Sequence, residues 1–202
     1  SIIAIYQNDL KRLLAYSSLA QIGYMMLGIG LLTETGLTAA IAHLFNHGIT
    51  KAVLFMGVGA IVLRNNGSFF DRIEGVGKTM PWTSAAMVIG GLSLIGVPGT
   101  AGFDSKGVLV QGALEKGWWP VAILIVMSSL LAVIYVWRMI ETMYLKAPCE
   151  GGVAKEAPMG MLIPIWIMAI ACIWFGLNTD ITITASLSAA KGLLAGSAGM
   201  LN

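Results

Sequence analysis

The chain has 202 residues, of which 57% are hydrophobic and only 11% are charged, and its mean hydropathy is +0.82. These values are far from those of an average soluble domain, and the net charge of +2 argues against a nucleic-acid partner. Several apolar segments reach the ~20 residues that a helix needs to cross a membrane. We therefore expect an all-α integral membrane protein, a bundle whose 25 glycines favour close contacts between helices.

The apolar segments divide the chain into successive membrane spans. We place them at about residues 10–32, 37–63, 81–97, 100–116, 118–145 and 159–178, within a transmembrane bundle that covers residues 1–178. Polar turns with charged residues, glycine and proline separate the spans. The remaining residues, 179–202, form a tail rich in small residues, which we expect to lie at the membrane interface rather than to cross.

The sequence GVPGTAGFDSKG at residues 96–107 interrupts an apolar run. Proline removes a backbone donor and glycine relaxes the helix, so we predict nonhelical backbone from about Gly96 to Gly102. One interpretation is a tight turn between two short spans. The other is a broken membrane helix whose exposed backbone lines a cavity near Asp104 and Lys106, with Lys106 facing protein rather than lipid.

The segment HLFNHGITK, at residues 43–51, places both histidines of the chain and a lysine inside the second span. His43, His47 and Lys51 recur every four residues, so on a helix they form one stripe that rises about 12 Å. Lys51 lies near the middle of the span, where an ionised lysine costs about 2.5–3.5 kcal/mol on insertion scales. Burial disfavours its charged form, and each histidine ring can pass a proton between its two nitrogens. The pattern predicts a proton relay.

Other interpretations of the stripe stay open. The histidines can form a packed polar patch, and a lysine can snorkel to the interface, although the central position of Lys51 disfavours this. The spacing HxxxH offers two metal ligands, but the glutamate of HExxH is absent and no third ligand is evident, so we predict no metal site. Cys149 and Cys172 are too few for a disulfide framework. Nicotinamide, flavin, quinone and iron–sulfur signatures are missing, so we expect no cofactor.

Three further charged residues are candidates for the same path. Lys106 follows the interrupted helix, where a water-filled half-channel can begin. Asp104, two residues earlier, can hold Lys106 in a permanent ion pair and so modulate its use as a proton carrier. Lys11, beside Arg12 at the start of the first span, is either an ordinary helix-end charge or a group that faces the bundle interior.

Three segments, in this order and spacing, resemble a known family. They are DLKRLLAYSSLAQIGYMMLG at residues 9–28, AHLFNHGITKAVLFMGVGAIV at 42–62 and SLIGVPGTAGFDSKGVL at 93–109. They are similar to the proton-translocating antiporter-like subunits, which include membrane-arm subunits of respiratory complex I, membrane hydrogenase relatives and Mrp-type cation/proton antiporters. The continuation ALEKGWWPVAILIVMSSLLAVIYVWRMIETMYL looks most like the D-type subunit of Mrp antiporters.

The resemblance implies that the chain is the C-terminal half of a larger subunit, the second of two inverted repeats with a broken helix as its signature. It also implies roles by motif. Lys51 would be the lysine of a central polar axis, with His43 and His47 as its connecting relay. Lys106 would be the ionisable group near an exit path. Lys11 matches the lysine of the family's DxKR block.

Asp104 departs from the family pattern, in which this position is usually apolar, and this departure puts the free titration of Lys106 in doubt. The ionisable glutamate and lysine pair of the family's first half is absent, so the chain alone should not complete a path across the membrane.

The leading hypothesis is proton translocation through the Lys/His relay, by a subunit of a multisubunit cation/proton antiporter or of a complex I-like NADH:quinone oxidoreductase or hydrogenase. Any oxidoreductase activity would belong to the assembly, because no catalytic site is evident in the chain. The expected partners are other membrane subunits, including the missing first-half helices, with protons, Na+ as a candidate coupled cation, and the lipid of a bacterial inner (plasma) membrane. The alternatives are a solute or metal-ion carrier that uses the broken helix, and a non-conducting scaffold subunit.

Overall fold

The computed structural model describes residues 1–147 and 155–199, and most of these residues are helical. Cys149 and residues 200–202 of the predicted tail lie outside the described residues. The described helices, in chain order, are α1 (Ile2–Ile5), α2 (Leu10–Gly30), α3 (Glu34–Asn65), α4 (Val76–Thr79), α5 (Pro81–Ile95), α6 (Ala101–Glu115), α7 (Trp119–Tyr144), α8 (Met159–Leu177) and α9 (Thr179–Gly199).

Six of these helices, α2, α3, α5, α6, α7 and α8, occupy the segments expected to be spans. In the described part of the chain, α2, α3, α7 and α8 are long and apolar enough to cross a membrane. Helices α5 and α6 have 15 residues each, fewer than the ~20 that a full crossing needs. Together with the segment between them they form the interrupted element.

Helix α3 is the axis of the bundle. It is 32 residues long, and α2, α5, α6, α8 and α9 all pack against it. The side chain of Thr33 caps its start by accepting a hydrogen bond from the Gly36 N–H at 3.0 Å. Asn66 ends it in the left-handed conformation, with φ of 54°. Because neighbours cover α3 on several sides, polar side chains on it are placed against protein.

Helices α2 and α3 are antiparallel and approach each other closely near their connection. A Cβ atom at Gly28 would lie only 2.6 Å from the carbonyl oxygen of Gly36, so a larger residue cannot occupy this position without moving a backbone. The close approach brings successive turns of α2 opposite successive turns of α3 in reverse order. Polar side chains of the two helices can therefore meet across the contact.

The interruption predicted around Pro98 is confirmed. Helix α5 ends at Ile95 and α6 begins at Ala101, so residues 96–100 are nonhelical. Gly96 has φ of 91°, a conformation that glycine adopts without steric cost. The chain therefore leaves α5 sharply and starts α6 nearby.

The tail predicted for residues 179–202 contains helix α9, which packs against α3. The amine of Lys191 lies 3.6 Å from the carboxylate of Glu34, at the start of α3. The division of the chain into a bundle and an interfacial tail at residue 178 stays a prediction.

Asp9 caps α2 and links it to the segment after α3. Its carboxylate accepts hydrogen bonds from the Arg12 N–H at 3.1 Å and from the Ser68 hydroxyl at 2.8 Å. Partial burial disfavours the charged carboxylate, but the hydrogen bonds outweigh burial and hold the pKa of Asp9 below its ordinary value. The cap therefore contributes its full stability at neutral pH.

Replacing Asp9 with alanine should lower the free energy of unfolding by about 1 kcal/mol, the usual effect of losing an N-cap. Because folding lowers the pKa of Asp9, this contribution is complete above the ordinary value of 3.8 and is lost as the pH falls below it. Thermal unfolding of the detergent-solubilised protein at neutral pH would measure the difference. Asp9→Asn, which keeps a capping oxygen, is the control, and equal stability of Asp9→Ala and wild type would contradict the capping role.

Candidate functional site

Lys51 points from α3 towards α2, and its amine contacts only neutral groups. The Nζ atom donates hydrogen bonds to the Leu14 carbonyl oxygen at 2.7 Å and to the Ser17 hydroxyl at 2.5 Å. It also lies 5.7 Å from the centre of the Phe55 ring. Only 7% of Lys51 is exposed, and it forms no ion pair with any described residue. Lys51 therefore faces the bundle interior, and no acidic side chain in the described part of the chain pairs with it.

His43 lies two turns before Lys51 and connects three helices. Its Nδ1 atom lies 2.9 Å from the Ser105 hydroxyl on α6, and its Nε2 atom lies 3.0 Å from the Gln21 amide oxygen on α2. With Gln21 placed in this way, Nε2 of a neutral ring donates to the amide oxygen, and the Ser105 hydroxyl donates to Nδ1. Both ring nitrogens of this buried histidine are therefore occupied by neutral partners.

His47 lies between His43 and Lys51 on the same face of α3. Its ring is nearly parallel to that of His43, with the ring centres 6.0 Å apart and the planes 10° apart. The side chain is half-buried. Among the described contacts, no hydrogen bond joins His47 to Lys51. A bridging water molecule or a rotamer change would be needed to pass a proton between them.

A second row of polar residues on α3 contacts the helices on both sides of the interruption. The Asn46 amide donates to the Ala101 carbonyl oxygen at 2.6 Å. The hydroxyls of Thr50 and Ser93 lie 2.8 Å apart, and the Ser93 hydroxyl accepts from the Gly102 N–H at 3.3 Å. The Gly102 N–H, at the start of α6, has no acceptor within its own helix, and the Ser93 hydroxyl supplies one. Asn46 and Thr50 tie α3 to α6 and to α5 on the two sides of the interruption.

Lys106 binds the carboxyl end of α5. Its Nζ atom donates to the carbonyl oxygens of Leu94 and Ile95 at 2.8 and 2.9 Å, and to the Ser129 hydroxyl on α7 at 3.1 Å. Carbonyl groups in the last turn of a helix lack partners within the helix and carry partial negative charge. Only 7% of Lys106 is exposed, so the prediction that it faces protein is confirmed.

The ion pair between Asp104 and Lys106, considered from the sequence, is absent. Side chains two residues apart on a helix point about 200° apart, so the two charges on α6 cannot face each other. Lys106 turns to α5 and α7, whereas Asp104 Oδ2 is buried without a hydrogen-bond partner in the described part of the protein. In this conformation, therefore, Asp104 does not hold Lys106 in an ion pair.

A cleft of about 330 Å³ lies beside Lys106, between α6 and α7. Its lining is apolar apart from Lys106 and Ser129, and includes Phe103 and Ile125. Lys106 thus borders the cleft, while its amine binds the end of α5. Among the described residues, no group of at least three His, Cys, Asp or Glu side chains could hold a metal ion.

Lys11 lies apart from the other candidate residues of the proton path. It is exposed in the first turn of α2. Ser17, the α2 residue that binds Lys51, lies six residues further on, or about 9 Å along the helix. Within this chain Lys11 has the position of a helix-end charge.

Four partners of the buried groups were not identified from the sequence: Ser17, Gln21, Ser105 and Ser129. A usable signal existed for Ser17 and Gln21, because polar residues four positions apart in an apolar helix form a stripe of their own. Single serines such as Ser105 and Ser129 carry little signal, since small polar residues are common at contacts between membrane helices.

Replacing His43 with leucine should lower the free energy of unfolding by about 1–3 kcal/mol, because Gln21 and Ser105 would each lose a buried partner. Thermal unfolding of the detergent-solubilised protein would show the loss. Leu44→Met is the control, since Leu44 on the same helix is 62% exposed. An equally small change in both variants would contradict the bridging role of His43.

Known proteins resemble this chain in sequence and in fold. Residues 1–132 match the model of a family described as "NADH:quinone oxidoreductase/Mrp antiporter, TM". The chain is 38% identical over 193 residues to NADH-quinone oxidoreductase subunit N of Desulforudis audaxviator, a match that covers 89% of this chain and 38% of that protein.

Two solved structures are also similar. A chain of the Mrp complex from Dietzia sp. DQ12-45-1b matches 93% of this chain and 43% of its own length, with a TM-score of 0.86 and 24% identity, a likeness that shows the fold. A chain of the membrane-bound sulfane sulfur reductase, an archaeal respiratory membrane complex, has a TM-score of 0.81 and 31% identity over 87% of this chain and 29% of its own.

The chain thus spans less than half the length of each of these relatives. The all-α membrane fold, the integral membrane location and the family predicted from the three sequence segments are confirmed. The finer likeness to the D-type subunit of Mrp antiporters stays a prediction. Because the family model matches well over half of the chain, the chain belongs to the transmembrane family of NADH:quinone oxidoreductase and Mrp antiporter subunits.

Proposed function

We propose that this chain moves protons across the membrane as part of a larger complex, with Lys51 as the group that binds and releases the proton inside the bundle. The environment of Lys51 carries the proposal: it is buried on the central helix, and among the described residues the hydrogen-bond partners of its amine are neutral oxygens. A carboxylate partner would keep a lysine charged, whereas neutral partners leave both protonation states accessible.

His47 and His43 extend the path along α3. A histidine ring can take up a proton at one nitrogen and release one from the other, and the two rings are stacked in sequence on the same face. The Ser105 hydroxyl at His43 can donate or accept, so it suits either state of the ring. A water molecule between His47 and Lys51 would connect the rings to the amine.

Lys106 is the second proton-binding group of the proposal. The carbonyl end of α5 stabilises its ammonium form without an opposite unit charge, and Lys106 lines a cleft between α6 and α7. The site therefore has the two features of a group near an exit path, a reversible charge and free space beside it.

Lys11 and Asp104 have outer roles in this proposal. Lys11 is exposed on α2, where helices outside this chain would cover it, so we assign it to the junction with the missing first-half helices. Asp104 acts on Lys106 only through space, as a weak modulator, because the two side chains point apart on α6.

The partners in this proposal follow from the length of the chain. Its relatives are more than twice as long and are named as subunits or chains of an NADH-quinone oxidoreductase, an Mrp complex and a respiratory membrane complex. We assign the chain to such an assembly in a bacterial inner (plasma) membrane, beside other membrane subunits. The driving force, a redox reaction or a gradient of a cation such as Na+, would belong to the assembly.

Replacing Lys51 with methionine should reduce proton flux by about tenfold or more, since the side chain keeps its length and loses its titratable group. Lys51→Arg should not restore flux, because a guanidinium scarcely releases its proton. The measurement is proton flux per assembled complex in proteoliposomes. Lys191→Met, on the outer helix α9, is the matched control and should stay close to wild type. Near-normal flux in Lys51→Met would favour a non-conducting scaffold.

Replacing Asp104 with asparagine should shift the pH dependence of proton flux only slightly, because Asp104 forms no ion pair with Lys106 and acts on it only through space. The same proteoliposome assay, repeated over a range of pH, would test this. A large shift of the whole profile in Asp104→Asn would mean that the carboxylate reaches Lys106 in another conformation of the complex.

A further inference from the structure

The two buried lysines share one arrangement of partners. At Lys51, the amine contacts the Ser17 hydroxyl and the Leu14 carbonyl oxygen, and the Ser17 hydroxyl itself donates to that carbonyl at 2.8 Å. Amine, hydroxyl and carbonyl thus form a closed triangle. Its serine is fully buried.

The same triangle exists at Lys106, although different helices build it. The amine contacts the Ser129 hydroxyl and the Ile95 carbonyl oxygen, and the Ser129 hydroxyl donates to the same carbonyl at 2.8 Å. One triangle joins α3 to α2, and the other joins α6 to α5 and α7. Because unrelated local sequences produce both, helix geometry alone does not account for the match.

The hydroxyl has a chemical property that the carbonyl lacks. A carbonyl oxygen only accepts hydrogen bonds, whereas a serine hydroxyl donates one and accepts others. When the lysine is an ammonium, it donates to the serine oxygen, and the serine donates to the carbonyl. When the lysine is a neutral amine, its lone pair needs a donor, and rotation of the serine O–H from the carbonyl to Nζ supplies one. The serine and the amine stay hydrogen-bonded throughout this change.

We propose that Ser17 and Ser129 are positioning residues of the proton path, which hold the amines of Lys51 and Lys106 in both protonation states by reversing one hydrogen bond. The proposal rests on the proposed function, since it requires that the lysines titrate. It assigns the serines a role that a carbonyl or a carboxylate could not perform, because neither can donate to the neutral amine.

Other titratable groups lie near the two triangles, and the test must separate their effect on the pH profile from that of the serines. His47 lies within electrostatic range of Lys51 and of Lys106, and His43 lies within electrostatic range of Lys106. The hydroxyl of Tyr135, which has no hydrogen-bond partner in the described part of the protein, lies near Ser17. The Tyr24 ring lies 5.5 Å from the Lys106 amine. These groups stay intact in the serine variants, so a changed pH profile there comes from the triangles.

The chain offers a matched control beside each serine. Ser18 donates to the Leu14 carbonyl oxygen at 3.0 Å, as Ser17 does, but it does not contact Lys51. Ser128 precedes Ser129 on α7 and lies 3.2 Å from the hydroxyl of Ser1, not at Lys106. Alanine at either control position removes a serine hydroxyl and leaves the lysine triangle complete.

The experiment measures proton flux per assembled complex in proteoliposomes over a range of pH for Ser17→Ala, Ser129→Ala, the corresponding threonine variants, and the controls Ser18→Ala and Ser128→Ala. Ser17→Ala and Ser129→Ala should each lower the maximum flux roughly three- to tenfold, the range that loss of one buried hydrogen bond gives. The pH profile of flux in Ser17→Ala and Ser129→Ala should also move towards lower pH. Each alanine removes one serine bond to the ammonium form of the lysine and one to the neutral amine, and the charge-assisted bond to the ammonium is the stronger. Threonine keeps the hydroxyl and should restore both quantities, and the controls should match wild type.

Two outcomes would overturn the inference. Wild-type flux and pH profile in both lysine-site alanine variants, with flux still abolished in Lys51→Met, would leave the proposed function standing and remove the serines from it. Reduced flux with an unchanged pH profile and no rescue by threonine would show that the serines are only packing. If the complex with Ser17→Ala fails to assemble, the flux and pH profile of Ser129→Ala are judged by the same criteria, since Ser129 is only half-buried. Normal flux in Lys51→Met itself would instead contradict the proposed function.

Discussion

The burial of a lysine amine without an opposite charge is the constraint on which the site depends. Moving an ammonium out of water is costly, and a carboxylate would be the usual compensation. Lys51 instead receives two neutral oxygens and the face of an aromatic ring. This compensation is partial, so the charged form is tolerated rather than fixed. A bundle that keeps carboxylates away from the amine preserves the choice between the two protonation states.

Helix α3 meets this constraint because it lies at the centre of the bundle. Its polar residues divide into two rows with separate tasks. His43 and Lys51 bind side chains and backbone of α2, while Asn46 and Thr50 bind the start of α6 and the end of α5. The row that faces the interruption ties α3 to the helix on each side of it. The same helix therefore supports the broken element and carries the titratable groups.

The sequence was sufficient to predict the stripe and the break, because both follow from strong local rules. Charged residues in the middle of an apolar helix must face protein, and glycine with proline must interrupt a helix. The sequence left open whether Asp104 pairs with Lys106, and helix geometry decides against it, since residues two apart on a helix point in nearly opposite directions. The partners of Lys51 and Lys106 depend on how the helices pack. Serine is common in membrane helices, so its presence in the sequence does not predict a contact with a lysine on another helix. The helical structure of residues 179–199 was also not predicted, because small residues give a weak periodic signal.

The contact between Lys106 and the end of α5 also has a mechanical consequence. The Lys106 amine donates hydrogen bonds to the carbonyl oxygens of Leu94 and Ile95, where the chain leaves α5. It also donates to the Ser129 hydroxyl on α7. In the neutral state that we propose, the two amine hydrogens serve the two carbonyls and the Ser129 hydroxyl donates to the amine instead of to the Ile95 carbonyl oxygen. Loss of a proton therefore removes the direct hydrogen bond between α7 and the end of α5. By thermodynamic linkage, a partner that moves α7 relative to the end of α5 also changes how firmly the proton is held.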